Sequence, residues 1–272
     1  MKTLYKLLIL LPFLAGCTKE IDLQIDFESQ IFILGAIGNE PDNVTIEIQE
    51  TVPVQETTVK PIRNATISLY TKTPKGDKSL VTNSFKESKG VYTSTEIISP
   101  TIGNYYWVEI KIPNNNTTFK SQEEQMKPVV PISSINKNGT SLAINFEDPR
   151  NDTNLYFVEL SYFQGDNFLH STFELSNDTL FNGNKNAFIQ VQGISGNKVK
   201  ATLSNLNYRS FLFYSNLYQQ EFENSDDGSG DPGRLFSTPP VNLTGNITNM
   251  STKRPALGNF AVVSLSTYEF SF

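Results

Sequence analysis

His170 and Cys17 are the one histidine and the one cysteine among 272 residues. Chemistry that needs either has a single place to go. A Ser-His-Asp triad would have to run through His170. That residue lies in Phe168-Leu169-His170-Ser171-Thr172, which reads better as a strand. Structural or catalytic zinc needs three or four ligands from His, Cys and carboxylate, and one histidine does not supply them. A glycosidase pair could hide among the 28 acidic residues, but nothing marks two of them as partners. No glycine-rich phosphate loop joins a strand to a helix. The expectation is a chain that is not an enzyme and carries no cofactor. Asp226, Asp227 and Asp231 offer oxygen ligands that suit calcium. They lack the alternating spacing and closing glutamate of an EF-hand, so a solvated loop is the better reading.

Aromatic residues are the more prominent feature. Phe and Tyr supply all but one of them, with 19 and 11. Tyr105, Trp107, Tyr208 and Tyr218 are the candidate binding residues, because an exposed ring can stack on a sugar or anchor a partner. Core packing is the competing use of each. Trp107 stands out because alternation puts it on the polar face of its strand.

Cys17 has a context of its own. Lys2 and Lys6 precede an apolar run from Leu7 to Phe13, and Leu14-Ala15-Gly16-Cys17 follows. The run is shorter than the roughly 20 residues that span a bilayer as a helix, and it reads as a secretory signal. Leu-Ala-Gly-Cys fits the lipobox of bacterial lipoproteins. Small residues let a signal peptidase close on the backbone, and the free thiol can form a thioether to diacylglycerol. The alternative is an ordinary signal peptide that contains a cysteine. Two or more acyl chains would anchor the protein stably. Without the two leading lysines, 20 basic residues face 28 acidic ones. That balance argues against nucleic acid and against electrostatic binding to anionic lipid.

The elements that position these residues are mostly strands. Val44, Ile46 and Ile48 alternate with polar residues, as do Ile67 and Leu69, and Tyr106, Val108, Ile110 and Ile112. Period two means one buried face and one wet face. Thr73-Pro74-Lys75-Gly76-Asp77 and Ser88-Lys89-Gly90 are turn chemistry between such runs. The expected fold is mainly all-β. Residues 1–16 are a signal peptide and 17–27 a lipidated tether. Residues 28–127 form an immunoglobulin-like sandwich. Pro128-Val129-Val130-Pro131 links it to a second β-rich domain over 128–272. Leu155 to Phe163 looks buried on both faces. Asn207 to Glu223 has no Gly or Pro, and a helix is expected near 207–222, capped by Asn205 or Asn207. Its buried stripe would be Phe213 and Leu217 with Tyr214 and Tyr218. Tyr268, Phe270 and Phe272 look like the end of an outer-membrane barrel, but the strands are too short and irregular for one.

Several motifs together resemble an uncharacterised Bacteroidota family of exported lipoproteins, known as a domain of unknown function. They are Cys17-Thr18-Lys19-Glu20-Ile21-Asp22-Leu23 after the lipobox, and Phe146-Glu147-Asp148-Pro149 before an aromatic strand. The C-terminal block adds Phe236-Ser237-Thr238-Pro239-Pro240, Gly245-Asn246-Ile247 and Ala256-Leu257-Gly258-Asn259-Phe260. The family often has an aromatic where Asn259 stands. The resemblance implies a lipid-anchored outer-membrane protein, with the cell surface favoured. The implied partner is a TonB-dependent transporter, to which it would be an accessory subunit. A free-standing surface module for glycan binding or adhesion is the alternative. In such bacteria Asp178-Thr179-Leu180 also fits an O-glycosylation sequon, with Thr179 as acceptor.

Overall fold

The structure is a computed structural model that describes residues 27–53, 56, 58, 60–113, 117–150, 152–224 and 243–272, with backbone alone over 220–224. In chain order the first strands are β1 (Ile31–Ile37), β2 (Thr45–Glu50), β3 (Lys60–Pro61), β4 (Thr66–Lys72), β5 (Lys78–Thr82) and β6 (Phe85–Ser88). They continue with β7 (Val91–Ser94), β8 (Tyr105–Ile112), β9 (Thr117–Ser121) and β10 (Glu124–Gln125). Next come β11 (Ile132–Asn138), β12 (Ser141–Phe146), β13 (Leu155–Gln164), β14 (Asn167–Asn177), β15 (Ala187–Gln192) and β16 (Lys198–Asn205). Helix α1 (Tyr208–Asn224) precedes β17 (Thr244–Asn249), β18 (Arg254–Val262) and β19 (Ser264–Ser271). Over the described residues the fold is therefore all-β and sandwich-like with one α-helix, as the patterning predicts.

The first unit is one curled 12-stranded sheet, ordered β5-β4-β8-β9-β17-β18-β1-β2-β7-β6, with β3 on β2 and β10 on β8. Alternation sets its inside. Ile33, Ile46, Ile48, Ile67, Leu69, Val108, Ile110 and Phe260 are all fully buried in one core. Burying each such aliphatic side chain stabilises the fold by about 1.5–3 kcal/mol. The second unit stacks β11-β12-β15 on β14-β13-β16-β19. Leu142, Ile144, Tyr156, Val158, Leu160, Val199 and Leu203 fill the space between. β13 does not bury both faces: Tyr156, Val158, Leu160 and Tyr162 point inward, and the intervening residues are only half-buried. The outward Phe157 is roofed by Tyr214 of α1, with ring centroids 5.1 Å apart. An apolar outer face is thus explained by a helix lying on it.

The two units share the C-terminal chain. The 128–272 segment does not keep all its strands to itself, because β17 and β18 lie in the first sheet between β9 and β1. β18 runs parallel to β1, from Phe32↔Leu257 to Ile37↔Val262. One residue later the chain enters β19, which pairs with β16 in the second unit. Alternation says which face of a strand is buried, but not which strand is its neighbour. The expected proline link lies between β10 and β11 and is fastened to this crossing. Ser264 Oγ donates to Pro128 O at 2.9 Å, and Ser266 Oγ donates to Val130 O at 2.9 Å. Among the described residues no helix is long and apolar enough to cross a membrane.

Gly258 sits at the β18–β1 contact with φ +98°, and a Cβ there would lie 1.8 Å from the Ile33 carbonyl oxygen. No side chain fits without moving β1. Gly258→Ala should cost about 2–5 kcal/mol, combining left-handed strain with overpacking. Gly139 is also left-handed, at φ +60°, but faces open space, so Gly139→Ala should cost about 1–2 kcal/mol. Urea denaturation of the two variants measures the difference.

Candidate functional site

The densest polar arrangement in the described chain lies where α1 meets both units. Glu124 opens the two-residue strand β10 and shares the inward direction of Met126, two residues on, which is fully buried. Its carboxylate Oε2 accepts from Ser210 Oγ at 3.1 Å and from the Val262 N–H at 3.5 Å. Asn259 Nδ2 donates to Ser210 Oγ at 3.0 Å, and Asn259 Oδ1 accepts the Asn246 N–H at 3.2 Å. Asn246 in turn closes both ends of the Phe260 backbone. Its Nδ2 donates to Phe260 O at 2.8 Å, and its Oδ1 accepts the Phe260 N–H at 2.9 Å. Asn207 stands just before α1, and its carbonyl takes the first helical bond from the Phe211 N–H. Its side-chain amide donates to Gln125 O and Val262 O. β10, α1, β17 and β18 are thereby pinned at one point.

Electrostatics follow from burial. Desolvation pushes the Glu124 carboxyl above its ordinary range, and the nearby Asn246 and Ser210 side chains and the Val262 N–H offset only part of that. Among the described residues Glu124 Oε1 is buried without a hydrogen-bond partner, so nothing there offsets its desolvation. Three residues on, Lys127 reaches into a cavity of about 140 Å³ bounded by Pro128, Pro149, Asp152, Asn154 and Asn205. Its Nζ donates to Leu206 O at 2.9 Å. Burial lowers the Lys127 ammonium pKa, while Asp152, Asp178 and Glu124 act to raise it. Asp148 forms a second node. It accepts the Tyr156 hydroxyl at 2.5 Å and the Gly183 N–H at 2.7 Å. Burial and then Asp148 itself push the Tyr156 phenol far up.

The hydrogen bonds of this arrangement tie β10, α1, β17 and β18 together. Ser210 donates its hydroxyl to the Glu124 carboxyl at 3.1 Å and has no imidazole beside it among the described residues. His170 is exposed on β14, with its ring 5.2 Å from that of Tyr162. Among the described residues no three of His, Cys, Asp and Glu gather into a metal site. Sequence patterning singled out neither Glu124 nor Ser210. The signal for Glu124 was available, since Glu124-x-Met126 repeats the two-residue period of a strand.

The four candidate aromatics do not form one face. Trp107 does lie opposite the core, as alternation says, yet it is only 2% exposed. Tyr70 stacks on it at 5.3 Å, and the ammonium groups of Lys78 and Lys120 lie 5.3 and 5.2 Å from its ring. Long charged stems cover an apolar ring while keeping their heads wet. Trp107 is thus unavailable for stacking on a ligand. Tyr105 beside it is half-covered by Lys72. Lys72 and Lys78 both bind Glu123, which holds that carboxyl below its ordinary range. Tyr208 is 63% exposed at the start of α1. Tyr218, 39% exposed, meets Phe173 edge-on at 4.9 Å. Thr179 is exposed in a 3-10 turn, Asp178–Leu180, held down by Asp178, which accepts the Asn154 N–H at 2.7 Å. Cys17, Asp226, Asp227 and Asp231 lie outside the described residues.

A family model described as a domain of unknown function, DUF4249, matches residues 18–269. No curated protein matches the chain. Among solved structures, the chain is similar to the crystal structure of chicken CNTN1 FN1-FN3 domains, at 13% identity and a TM-score of 0.25. That match covers 64% of this chain and 60% of the other.

Two substitutions test the joint. Asn246→Ala leaves the Phe260 N–H and C=O buried without partners, which should cost about 2–5 kcal/mol. For Glu124 the sign is set by linkage. A carboxyl raised in the fold contributes stability that is complete below its unfolded value and is lost as pH climbs through the raised one. Glu124→Gln, neutral throughout, should match the wild type near pH 4 and exceed it near pH 8. Denaturation midpoints across that range check both the direction and the window.

Proposed function

We propose that this chain, which belongs to the DUF4249 family, is a non-catalytic lipoprotein of the bacterial cell envelope and an accessory subunit of a TonB-dependent outer-membrane transporter. The observation that carries the anchor is Leu14-Ala15-Gly16-Cys17 behind a basic and apolar leader, in a chain with no other cysteine. Acylation of that thiol would confine the protein to one membrane surface and raise its effective concentration towards membrane partners. The Bacteroidota lipoprotein resemblance supplies the identity of the partner.

The architecture suits a contact role. A joint that spends Glu124, Ser210, Asn246 and Asn259 on holding β10, α1 and β18 together gives a rigid platform. Tyr208, at the exposed start of α1, is the ring best placed to anchor a partner. Trp107 is not, because Tyr70 and two lysines enclose it.

Metabolic labelling with an acyl analogue should mark the wild type, and Cys17→Ala should lose the label and leave the membrane. A mild-detergent pull-down through a C-terminal tag, read by mass spectrometry, should recover a TonB-dependent transporter. Tyr208→Ser should weaken that recovery severalfold with no change in melting temperature, as expected of an interface anchor. An unlabelled wild type removes the anchor from this reading. Recovery of the lipoprotein alone, with direct binding of a soluble glycan, promotes the free-standing module instead.

A further inference from the structure

β14 is the outer strand of its four-stranded sheet and, at 11 residues, the longest strand among those described. Long open edges are usually blunted by lysine, proline or short length. The outer strands of the first sheet follow that rule, with Lys78 on β5 and Lys86 and Glu87 on β6. β14 has no lysine and no proline, and it exposes Phe168 and Leu169 at 58% and 45%.

Among the described residues no strand pairs with this edge, and its outward backbone groups can be assigned. The Asp178 N–H donates to Asn154 O at 3.2 Å, one step beyond the Leu155↔Asn177 pair. Hydrogen-bonded and non-bonded pairs alternate along an antiparallel ladder. Ser176, Glu174 and Thr172 therefore turn their backbone groups towards β13. Leu175, Phe173 and Ser171 turn theirs outward. An incoming antiparallel strand must bond to those three.

The sequence of the edge is complementary to itself. Taking Thr172 as centre, Leu169-His170-Ser171-Thr172-Phe173-Glu174-Leu175 sets Leu169 opposite Leu175, His170 opposite Glu174, and Ser171 opposite Phe173. We propose that β14 pairs with β14 of a second copy of this chain, antiparallel about a two-fold axis at Thr172, joining two four-stranded sheets into one of eight. Ser171 and Phe173 then exchange backbone hydrogen bonds across the axis in both directions, which is the parity that the outward groups require. Each His170 meets a Glu174 of the other copy, so the opposite-charge pair occurs twice. Burial already holds the Glu174 carboxyl above its ordinary range.

Thr172 is a non-bonded position of the new ladder, where paired Cα atoms lie about 4.5 Å apart, within disulfide reach. The test is oxidation of the full-length Thr172→Cys chain in its own membrane. The wild type, with Cys17 alone, and Leu175→Cys, which faces Leu169 rather than itself, run in parallel. Thr172→Cys should give a reducible band at twice the mass of the membrane-bound chain, and the two controls should not. In that background His170→Glu sets like charges opposite each other and should lower the yield about five- to tenfold. His170→Glu with Glu174→Lys should restore it, which separates pairing from a general loss of folding. A cross-link to a protein of another mass gives the edge to a different partner and overturns the proposal. So does a monomeric band in both Thr172→Cys and the double charge variant.

Discussion

The passage of the chain from β18 to β19 is the constraint on which the rest of the molecule depends. Val262 still pairs with Ile37 in the first sheet, and Ser264 already pairs with Asn205 in the second. A single residue, Val263, lies between them, and its N–H is itself bound to Ile37 O at 3.0 Å. Nothing that short can act as a hinge. The nearby proline link is held by Ser264 and Ser266, and Leu265 donates its N–H to Asn39 at 2.6 Å. Two units that a reader would separate at Pro128 are therefore stitched twice, once by the link and once by the C-terminal crossing.

A crossing of that kind leaves backbone polar groups inside the protein, and each needs a partner. This explains why the joint is polar where an apolar filling would be cheaper to make. Asn246 serves the backbone of Phe260, and Asn207 serves the carbonyls of Gln125 and Val262. Glu124 takes the hydroxyl of Ser210. Glycine appears for a related reason. Gly245 lies so close to Asn259 and the Gly258 carbonyl that a Cβ would come within 2.5–2.7 Å of them. The joint is thus a place where backbone approaches backbone, and side chains are either absent or hydrogen-bonded.

This rigidity bears on contact. An interface anchor gains most when the free protein already holds the bound conformation. α1 is fixed at its first turn by Asn207 and Ser210, and Phe213 is buried one turn later. Phe157, Phe173, Tyr214 and Tyr218 form a chain of rings between the helix and β13–β14.

Much of the fold was legible from the residues in order. The two-residue period of Tyr106, Val108, Ile110 and Ile112 names the inward face of β8, and all four are buried. The absence of Gly and Pro after Asn207 marks helix α1, which begins at Tyr208. The pattern of apolar residues is local, and so is what it decides. It could not say that Trp107, correctly placed on the outer face, would be closed over by Tyr70, Lys78 and Lys120. Those residues are brought to it by strand order, not by spacing. Nor could it say that Gly258 and Asn259 would meet Ile33, Asn246 and Ser210, because that depends on β18 lying beside β1, more than 200 residues away. Sequence by itself determined which residues alternate, where the helix falls, and that Cys17, the single cysteine, follows an apolar run. The tertiary structure alone decided which strands are neighbours, and hence where the buried polar joint lies, since pairing partners are chosen by long-range closure that no local period encodes.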